Sequence, residues 1–214
     1  ADLRLNSCEM LHAGGGVPQL RLAEADPYRG RLLPQPTGCT ATALVVTGQL
    51  AIAPGQSAVF CNGLTIAAGG VVQLGPGLHV VDGGILTVMP GGTLVADRAT
   101  ILLRGTGGRM QASINVQNGA RVTLVAPPTG PGAGLALVAA RAAPIALGLT
   151  SLFLNVTGAI HAPESALIFH GNSGGGCAQL VAQSIVISGF SQLQAACAGT
   201  GMLPIVDRIA LLAE

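Results

Sequence analysis

Short stretches of alternating apolar and polar residues run along most of this chain, and glycine-containing turns separate them. Because successive side chains of a β-strand point to opposite faces, alternation of this kind predicts strands with one apolar face. The clearest stretch has Leu64, Ile66, Val72 and Leu74 as its apolar positions and Thr65 and Gln73 as its polar ones. We expect the apolar set to face a core and the polar set to face outward.

The strands belong to a repeat. Three consecutive blocks align, Leu44–Gly63, Leu64–Gly84 and Ile85–Gly108, and each reads as strand, glycine turn, strand, turn and strand. A period between about 20 and 50 residues is typical of solenoids, in which stacked repeats build one continuous core. A single repeat cannot bury its own apolar face, so only the stack supplies a core.

One corner of the repeat is marked by glycine. The stretch from Ala67 to Leu74 recurs from Met89 to Ala96 and again from Gln117 to Leu124, which places Gly69, Gly91 and Gly119 at equivalent positions. A sharp corner requires positive φ, which glycine adopts without steric cost. The dipeptide Pro54-Gly55 likewise recurs as Pro76-Gly77.

Beyond Gly108 the spacing loosens, although strand-like stretches continue. The step from Leu86 to Ile114 is longer than the earlier ones and predicts a loop over residues 104–113, and residues 127–134 form a second predicted loop. No helix with recognisable caps is apparent, and the tail from Pro204 to Glu214 is compatible with a terminal strand or a short helical turn.

These patterns predict an all-β chain folded as a right-handed parallel β-helix, with an irregular N-terminal cap. The hand follows from the general preference for right-handed crossovers between parallel strands. We expect residues 1–38 to form an incomplete repeat, a loop and a cap, and residues 39–214 to form the β-helix as one structural unit. Residues near 200–214 are expected to protect the strand edges at the other end.

The composition is compatible with a membrane protein as well as with a solenoid, since 50% of the residues are hydrophobic and 9% are charged. The best candidate span is Ala142–Ile160, but proline, glycine and β-branched residues interrupt it. A membrane helix requires about 20 predominantly apolar residues in succession. Buried strands therefore account for the composition better.

Charge and aromatic content argue against nucleic acid as a partner. Ten basic and nine acidic residues give a net charge of +1, and the chain has one Tyr, four Phe and no Trp. Proteins that bind nucleic acid carry a basic patch and, for single strands, aromatic stacking platforms. The same shortage leaves few side chains for stacking against sugar rings.

The five cysteines predict disulfides. Cys39 precedes Cys61 by about one repeat, and Cys177 precedes Cys197 by a similar interval. Residues one repeat apart lie at the strand spacing of about 4.8 Å, within reach of a disulfide. We therefore predict the pairs Cys39–Cys61 and Cys177–Cys197, which implies an oxidising compartment. Cys8 is left over, either as a buried free thiol or as a residue whose partner lies elsewhere.

Five stretches of the sequence are similar to one known family. These are DPYRGRLLPQPTGCT from Asp26 to Thr40, PGQSAVFCNGLTIAAGGVVQLGPGLHVVDGGILTVMPGG from Pro54 to Gly92, and the late segments APPTGPGAGLALV, GAIHAPESALIFHGNSGGGCAQLVAQSIVISG and IALLAE. They resemble TadG-like proteins of the tight-adherence (Tad/Flp) pilus system. The Asp-Pro-Tyr run, the HVVDGG segment and the order of the four cysteines carry the resemblance.

The resemblance implies an extracellular or envelope component of a bacterial pilus that works with small pilin-like subunits in assembly and surface attachment. In that family such a segment follows a hydrophobic N-terminal anchor, which is not seen in this sequence. The chain opens with Ala1, and a processed product or an excised fragment is the expected explanation. The resemblance implies no enzymatic activity and no cofactor.

The main alternative is a polysaccharide lyase or hydrolase, a class that shares the predicted fold. Such an enzyme needs acidic side chains held close together. The candidates Asp82, Asp97 and Glu164 are scattered, and Asp82 is expected to bond the backbone of its own turn. We therefore predict no catalytic residue.

The histidines, His12, His79, His161 and His170, share no spacing typical of metal ligands, although His161 and His170 could meet across a turn. We accordingly predict no metal-binding or cofactor-binding residue. A third class is a stand-alone surface-binding module. It would bind an unknown ligand through one flat sheet face and through the predicted loops 104–113 and 127–134.

Overall fold

The computed structural model describes residues 26–140, 146–170, 177–188 and 198–204, and within them the protein is all-β. The described strands are β1 (Ala41–Val46), β2 (Gln49–Ile52), β3 (Val59–Ile66), β4 (Val71–Leu74), β5 (Gly77–Asp82), β6 (Ile85–Val88), β7 (Thr93–Ala96), β8 (Ala99–Arg104), β9 (Ser113–Val116), β10 (Arg121–Val125), β11 (Leu135–Ala139), β12 (Ala146–Leu149), β13 (Phe153–His170) and β14 (Ala178–Ser188). Every described strand pair is parallel.

The parallel pairs form three ladders. Ladder I contains β2, β4, β7, β10 and the beginning of β13. Ladder II contains the first half of β3, then β5, β8, β11, the middle of β13 and the first half of β14. Ladder III contains β1, the second half of β3, then β6, β9, β12 and the second halves of β13 and β14. The long strands β3 and β13 pass from one ladder to the next and join them.

The inner faces of the three ladders share one apolar core. In ladder I, Val72, Leu94, Val122 and Leu154 lie in register and are at most 1% exposed. Ile101 of ladder II and Leu86 of ladder III belong to the same cluster. The prediction for the Leu64 stretch is confirmed, because Leu64, Ile66, Val72 and Leu74 are buried while Thr65 and Gln73 face outward.

The register of the ladders follows the predicted repeat with one adjustment. Leu44 pairs with Leu64, Leu64 with Leu86, and Leu86 with Ile114, as the long step across the predicted loop requires. The third block therefore aligns from Leu86 rather than from Ile85. Gly83 and Gly84, both with positive φ, form the corner before this block, and the corner accommodates the one-residue offset.

The predicted glycine corner is present. The amide of Gly69 donates to the carbonyl of Gly91 at 3.1 Å, and the amide of Gly91 donates to the carbonyl of Gly119 at 3.0 Å. Their φ angles are +77°, +78° and +89°, in the left-handed region that favours glycine. The corner is thus a continuous column of glycines. The two predicted loops lie between strands, one after β8 and the other after β10.

Residues 26–38, which we call the strap, form no strand and lie against the outer face of ladder II. That face is apolar as well, and a second buried cluster there contains Val59, Val80, Leu102 and Val138 together with Tyr28 of the strap. Strand β8 is consequently buried on both faces. Residues 1–25 and 205–214 lie outside the described residues, so the predicted end caps stay predictions.

Among the described residues, no helix has the length and apolar character needed to cross a membrane. The described part of the candidate span, residues 146–160, forms β12 and the beginning of β13.

Replacing Leu94 with alanine should lower the free energy of unfolding by about 2–5 kcal/mol, because a fully buried side chain is removed from the middle of the core column. Chemical denaturation measures the loss. Val95→Ala on the outer face of the same strand is the matched control and should cost much less. Equal losses for the two variants would contradict the described orientation of β7.

Candidate functional site

The strap is held at its beginning by a contact between a histidine ring and a carboxylate and by the single tyrosine. Nε2 of His161 lies 3.0 Å from a carboxylate oxygen of Asp26, and the rings of His161 and Tyr28 meet edge to face at 5.5 Å. The hydroxyl of Tyr28 donates to Oε1 of Gln179 at 2.7 Å and accepts the amide of Leu203 at 3.2 Å. Burial raises the pKa of Tyr28, so the hydroxyl stays protonated at neutral pH.

The middle of the strap is tied to the loop after β10. The guanidinium of Arg31 donates to the carbonyl of Ala133 at 2.8 Å, and it also reaches the carbonyl of Gly130. Below that loop, the hydroxyl of Thr100 in β8 donates to the carbonyl of Leu135 at 2.8 Å. The loop is therefore fixed from both sides.

The end of the strap covers a buried ion pair. Asp82 and Arg104 are register partners at the ends of β5 and β8, their side chains are 4% and 6% exposed, and Nη2 of Arg104 lies 3.3 Å from Oδ2 of Asp82. The same guanidinium donates to Oε1 of Gln35 at 2.8 Å and to the carbonyl of Pro36 at 2.6 Å. Arg104 therefore joins the strap to ladder II.

Asp82 is held in its charged form. Burial acts to raise its pKa, but the hydroxyl and the amide of Thr106 both donate to the carboxylate, and the charge of Arg104 adds to them. Together these interactions lower the pKa of Asp82. The expectation that Asp82 bonds the backbone of its own turn is wrong, because its partners come from β8 and from the loop that follows, where Arg109 also lies within 3.9 Å.

A disulfide fixes the end of the strap. Cys39 and Cys61 are bonded, with their Cα atoms 5.7 Å apart, and this predicted pair is confirmed. Cys61 is buried in β3, Cys39 is exposed, and Nη2 of Arg109 lies 3.8 Å from Sγ of Cys39. Cys177 is also disulfide-bonded. Cys197 and Cys8 lie outside the described residues, so the prediction for Cys177 and Cys197 stays a prediction.

Between the strap and the loop after β10 lies a groove of about 750 Å³. Its lining is mostly apolar, and it contains the prolines Pro34, Pro36, Pro76, Pro127, Pro128 and Pro131. Thr100 and the exposed Arg98 are among its polar residues. Arg98 has a positive φ of 49° and pairs with the adjacent Asp97, so its charge is already partly balanced.

His79 lies on the inner face of β5, in register with Ile101 of the core. Its ring is 1% exposed, and Nε2 lies 2.8 Å from the carbonyl of Gly75. Burial lowers its pKa, so the ring is neutral at pH 7 and donates a proton to that carbonyl. Through this hydrogen bond the neutral imidazole stabilises the turn between β4 and β5.

The structure does not bring the remaining candidate residues together. Asp97 lies in the turn after β7, and Glu164 lies where the register of β13 shifts between ladders II and III. The backbone of His161 belongs to ladder II and that of His170 to ladder III, and the expectation that the two histidines could meet stays a prediction. His12 lies outside the described residues.

Three polar side chains of ladder II, Asp82, Arg104 and His161, thus serve to hold the strap. Both carboxylate oxygens of Asp82 already accept hydrogen bonds, and the guanidinium of Arg104 already donates to Asp82, Gln35 and Pro36. No group of three or more His, Cys, Asp or Glu side chains within the described part of the chain could hold a metal ion. The arrangement is suited to fixing one chain segment against another.

The comparisons with known proteins give no relative. No family model, no curated protein and no solved structure matches this chain.

Sequence reasoning missed the residues that fix the strap, above all Tyr28, Arg31 and Arg104. The only available signals were the Asp-Pro-Tyr run, which includes the single tyrosine of the chain, and an arginine at the end of an otherwise apolar strand. Neither signal identifies a partner that is distant in the sequence.

Asp82→Asn should lower the free energy of unfolding by about 3 kcal/mol or more at pH 7, because it leaves Arg104 buried with a neutral partner. The unfolded chain binds a proton more readily than native Asp82 does, so the contribution of the carboxylate is lost as pH falls below 3.8. The difference between the denaturation midpoints of the wild type and the variant should therefore stay constant from pH 7 to about pH 5 and shrink only as the pH falls below 3.8. Asp97→Asn at an exposed pair is the control and should change stability by no more than about 0.5 kcal/mol. A pH-independent difference would contradict the assignment.

Cys39→Ser should lower the free energy of unfolding by about 3 kcal/mol, the usual effect of opening a disulfide loop of this length. Because the chain has one Tyr and no Trp, its ultraviolet fluorescence reports on the environment of Tyr28 in the strap. We expect the fluorescence transition of the variant to precede the loss of strand signal in circular dichroism. Coincident transitions would show that the disulfide does not fix the strap separately.

Proposed function

We propose that the chain is a non-enzymatic structural and adhesive domain of a bacterial Tad-type pilus, TadG-like in kind, that acts on the extracytoplasmic side of the envelope. Its partners would be the pilin-like minor subunits of that pilus. The observation that carries the proposal is the use of the buried polar groups of ladder II, since Asp82, Arg104 and His161 all fix the strap. A strap that is fixed to the strands at several points gives ladder II a rigid outer surface.

The proposed fold behind this function is the right-handed parallel β-helix. It is supported by three parallel ladders that share one core and by the column of corner glycines. It is further supported by register steps that match the sequence repeat, such as Val72 to Leu94 in ladder I. Stacked repeats of this kind give an extended, stiff surface that is suited to a fibre component.

The link to the pilus system comes from the sequence resemblance. The strap lies in one of the stretches that carry this resemblance. The stretch from Asp26 to Thr40 that carries the resemblance contains the strap, whose polar anchors reach His161 and Arg104 of ladder II and the loop after β10. The Cys39–Cys61 disulfide supports a location in an oxidising compartment.

The test is an in-frame deletion of residues 26–204 from the full-length protein in its own host. We expect pili to be lost or shortened in electron micrographs and surface attachment to fall. Normal pili together with normal attachment would overturn the proposal. Normal pili with lost attachment would assign the domain to adhesion rather than to assembly.

A matched variant tests the enzymatic alternative. Asp97→Asn combined with Glu164→Gln removes two exposed acids that lie outside the strap, and attachment should be unchanged. Purified wild-type protein should release no unsaturated product from uronate-containing polymers. Cleavage that is lost in the double variant would replace the structural role with a lyase role.

A further inference from the structure

The strap begins at the single Asp-Pro dipeptide of the chain, Asp26-Pro27. An aspartate carboxylate is a nucleophile that can attack the carbonyl carbon of its own residue, because the ring that forms has five members. Pro27 has no N–H, so the competing ring closure, in which the next backbone amide attacks the aspartate side chain, is not available. In an ordinary peptide this reaction needs strong acid, and the surroundings of the bond therefore decide its rate.

Three nitrogen atoms contact the reacting groups of Asp26. The amide of Tyr28 donates to Oδ1 at 2.9 Å, and Nε2 of His161 lies 3.1 Å from Oδ1 and 3.0 Å from Oδ2. The carbonyl oxygen of Asp26 accepts the amide of Arg29 at 3.1 Å. Such a hydrogen bond stabilises the negative charge that develops on a carbonyl oxygen when its carbon is attacked. The nucleophile and the carbonyl group that it attacks are therefore both held before the reaction.

The imidazole of His161 is in position to supply a proton. Its side chain is 10% exposed and that of Asp26 is 16% exposed, so the pair is mostly shielded while water still has access. The ring of Tyr28 packs edge to face against the imidazole at 5.5 Å and restricts its orientation. A proton donor fixed beside the reacting bond assists the departure of a basic nitrogen.

The ladder around His161 adds no charge of its own. The register partners of His161 are Val138 in β11 and Val181 in β14, and both are apolar. The strap contributes the titratable and charged groups on this side, which are Asp26, Tyr28 and Arg31, the last with its guanidinium carbon 6.0 Å from the centre of the Tyr28 ring. The proton balance of the site is thus set by the strap and His161.

We propose that the chain cleaves its own Asp26–Pro27 peptide bond in mildly acidic conditions, with the Asp26 carboxylate as nucleophile and His161 as proton donor. A carboxylate oxygen bonds to the carbonyl carbon of Asp26, the C–N bond to Pro27 breaks, and the nitrogen of Pro27 takes a proton from the imidazolium. One water molecule then opens the cyclic anhydride to two carboxylates. Of the two protons released, one returns to His161 and the other protonates the amine of Pro27.

This reaction separates the residues before Pro27 from the strap without detaching the strap itself. Tyr28 keeps the hydrogen bonds of its hydroxyl, Arg31 keeps its contact with the loop after β10, and the disulfide holds the other end of the strap. The site is therefore suited to releasing the folded domain from what precedes it. The inference does not depend on the proposed pilus function, and a single event on the chain itself involves no enzymatic turnover.

The test follows the intact mass of the full chain, with its disulfides reduced before measurement, after incubation at about pH 5 and at about pH 7.5. We expect fragments that end at Asp26 and begin at Pro27 to accumulate faster at the lower pH, because the reaction consumes a proton. At about pH 5 the native chain should be cleaved at least about tenfold faster than the same chain unfolded in urea, since only the fold holds the groups together. The bond after the exposed Asp97 should stay intact.

Two variants test the assigned roles. His161→Gln retains a hydrogen-bond donor but has no proton to transfer, so cleavage of the native chain at about pH 5 should slow at least about tenfold while the slow reaction in urea is unchanged. Asp26→Glu keeps the negative charge beside His161 but requires a six-membered ring, and it should slow cleavage by about the same factor. Asp97→Asn is the matched control and should be cleaved at the wild-type rate. Circular dichroism verifies that each variant folds.

Equal rates in the native and the unfolded chain, no cleavage at mildly acidic pH, or a rate that His161→Gln leaves unchanged would each overturn the inference. The comparison of native with unfolded wild type requires no substitution, so it decides the question even where a variant does not fold.

Discussion

Burial of one shared apolar column is the constraint on which the rest of this structure depends. A four-residue strand such as β7 buries only Leu94 and Ala96, and it is stable only because strands with the same inward and outward pattern lie above and below it in register. Hydrogen bonds between parallel strands fix the spacing, and hydrophobic burial fixes the register, since a slip of one residue would turn every core side chain outward. Corner glycines such as Gly91 permit the chain to turn without disturbing that register.

The three ladders meet this constraint with different outer faces. Ladder II is apolar on both faces, which would leave Val80 and Leu102 in water if the strap did not cover them. Covering them also removes water from the polar ends of β5 and β8. The ion pair between Asp82 and Arg104 and the hydrogen bonds from Arg104 to the strap offset the free-energy cost of that desolvation. The buried polar groups are therefore a consequence of having a strap.

Much of the fold could be predicted because the inward and outward positions follow directly from alternation and from the repeat. The glycine column followed from the recurrence of one short stretch, which is a local property of the chain, whereas the pairing of Leu64 with Leu86 required a one-residue shift of the aligned blocks. The candidate site could not be predicted in the same way. Arg31 contacts residues about a hundred positions away, and His161 lies on a strand distant from Asp26, so no local pattern links them.

The sequence by itself determined that the protein is all-β, which side chains enter the core, and that Cys39 is bonded to Cys61, because these depend on spacing along the chain. Only the tertiary structure decided which outer face is covered. Three outer faces are available, and the strap covers the apolar one of ladder II through contacts with residues from several separate strands. That selection fixes Asp82 as an anchor of the strap rather than a free acid, and it leaves the outer face of ladder III uncovered by the strap.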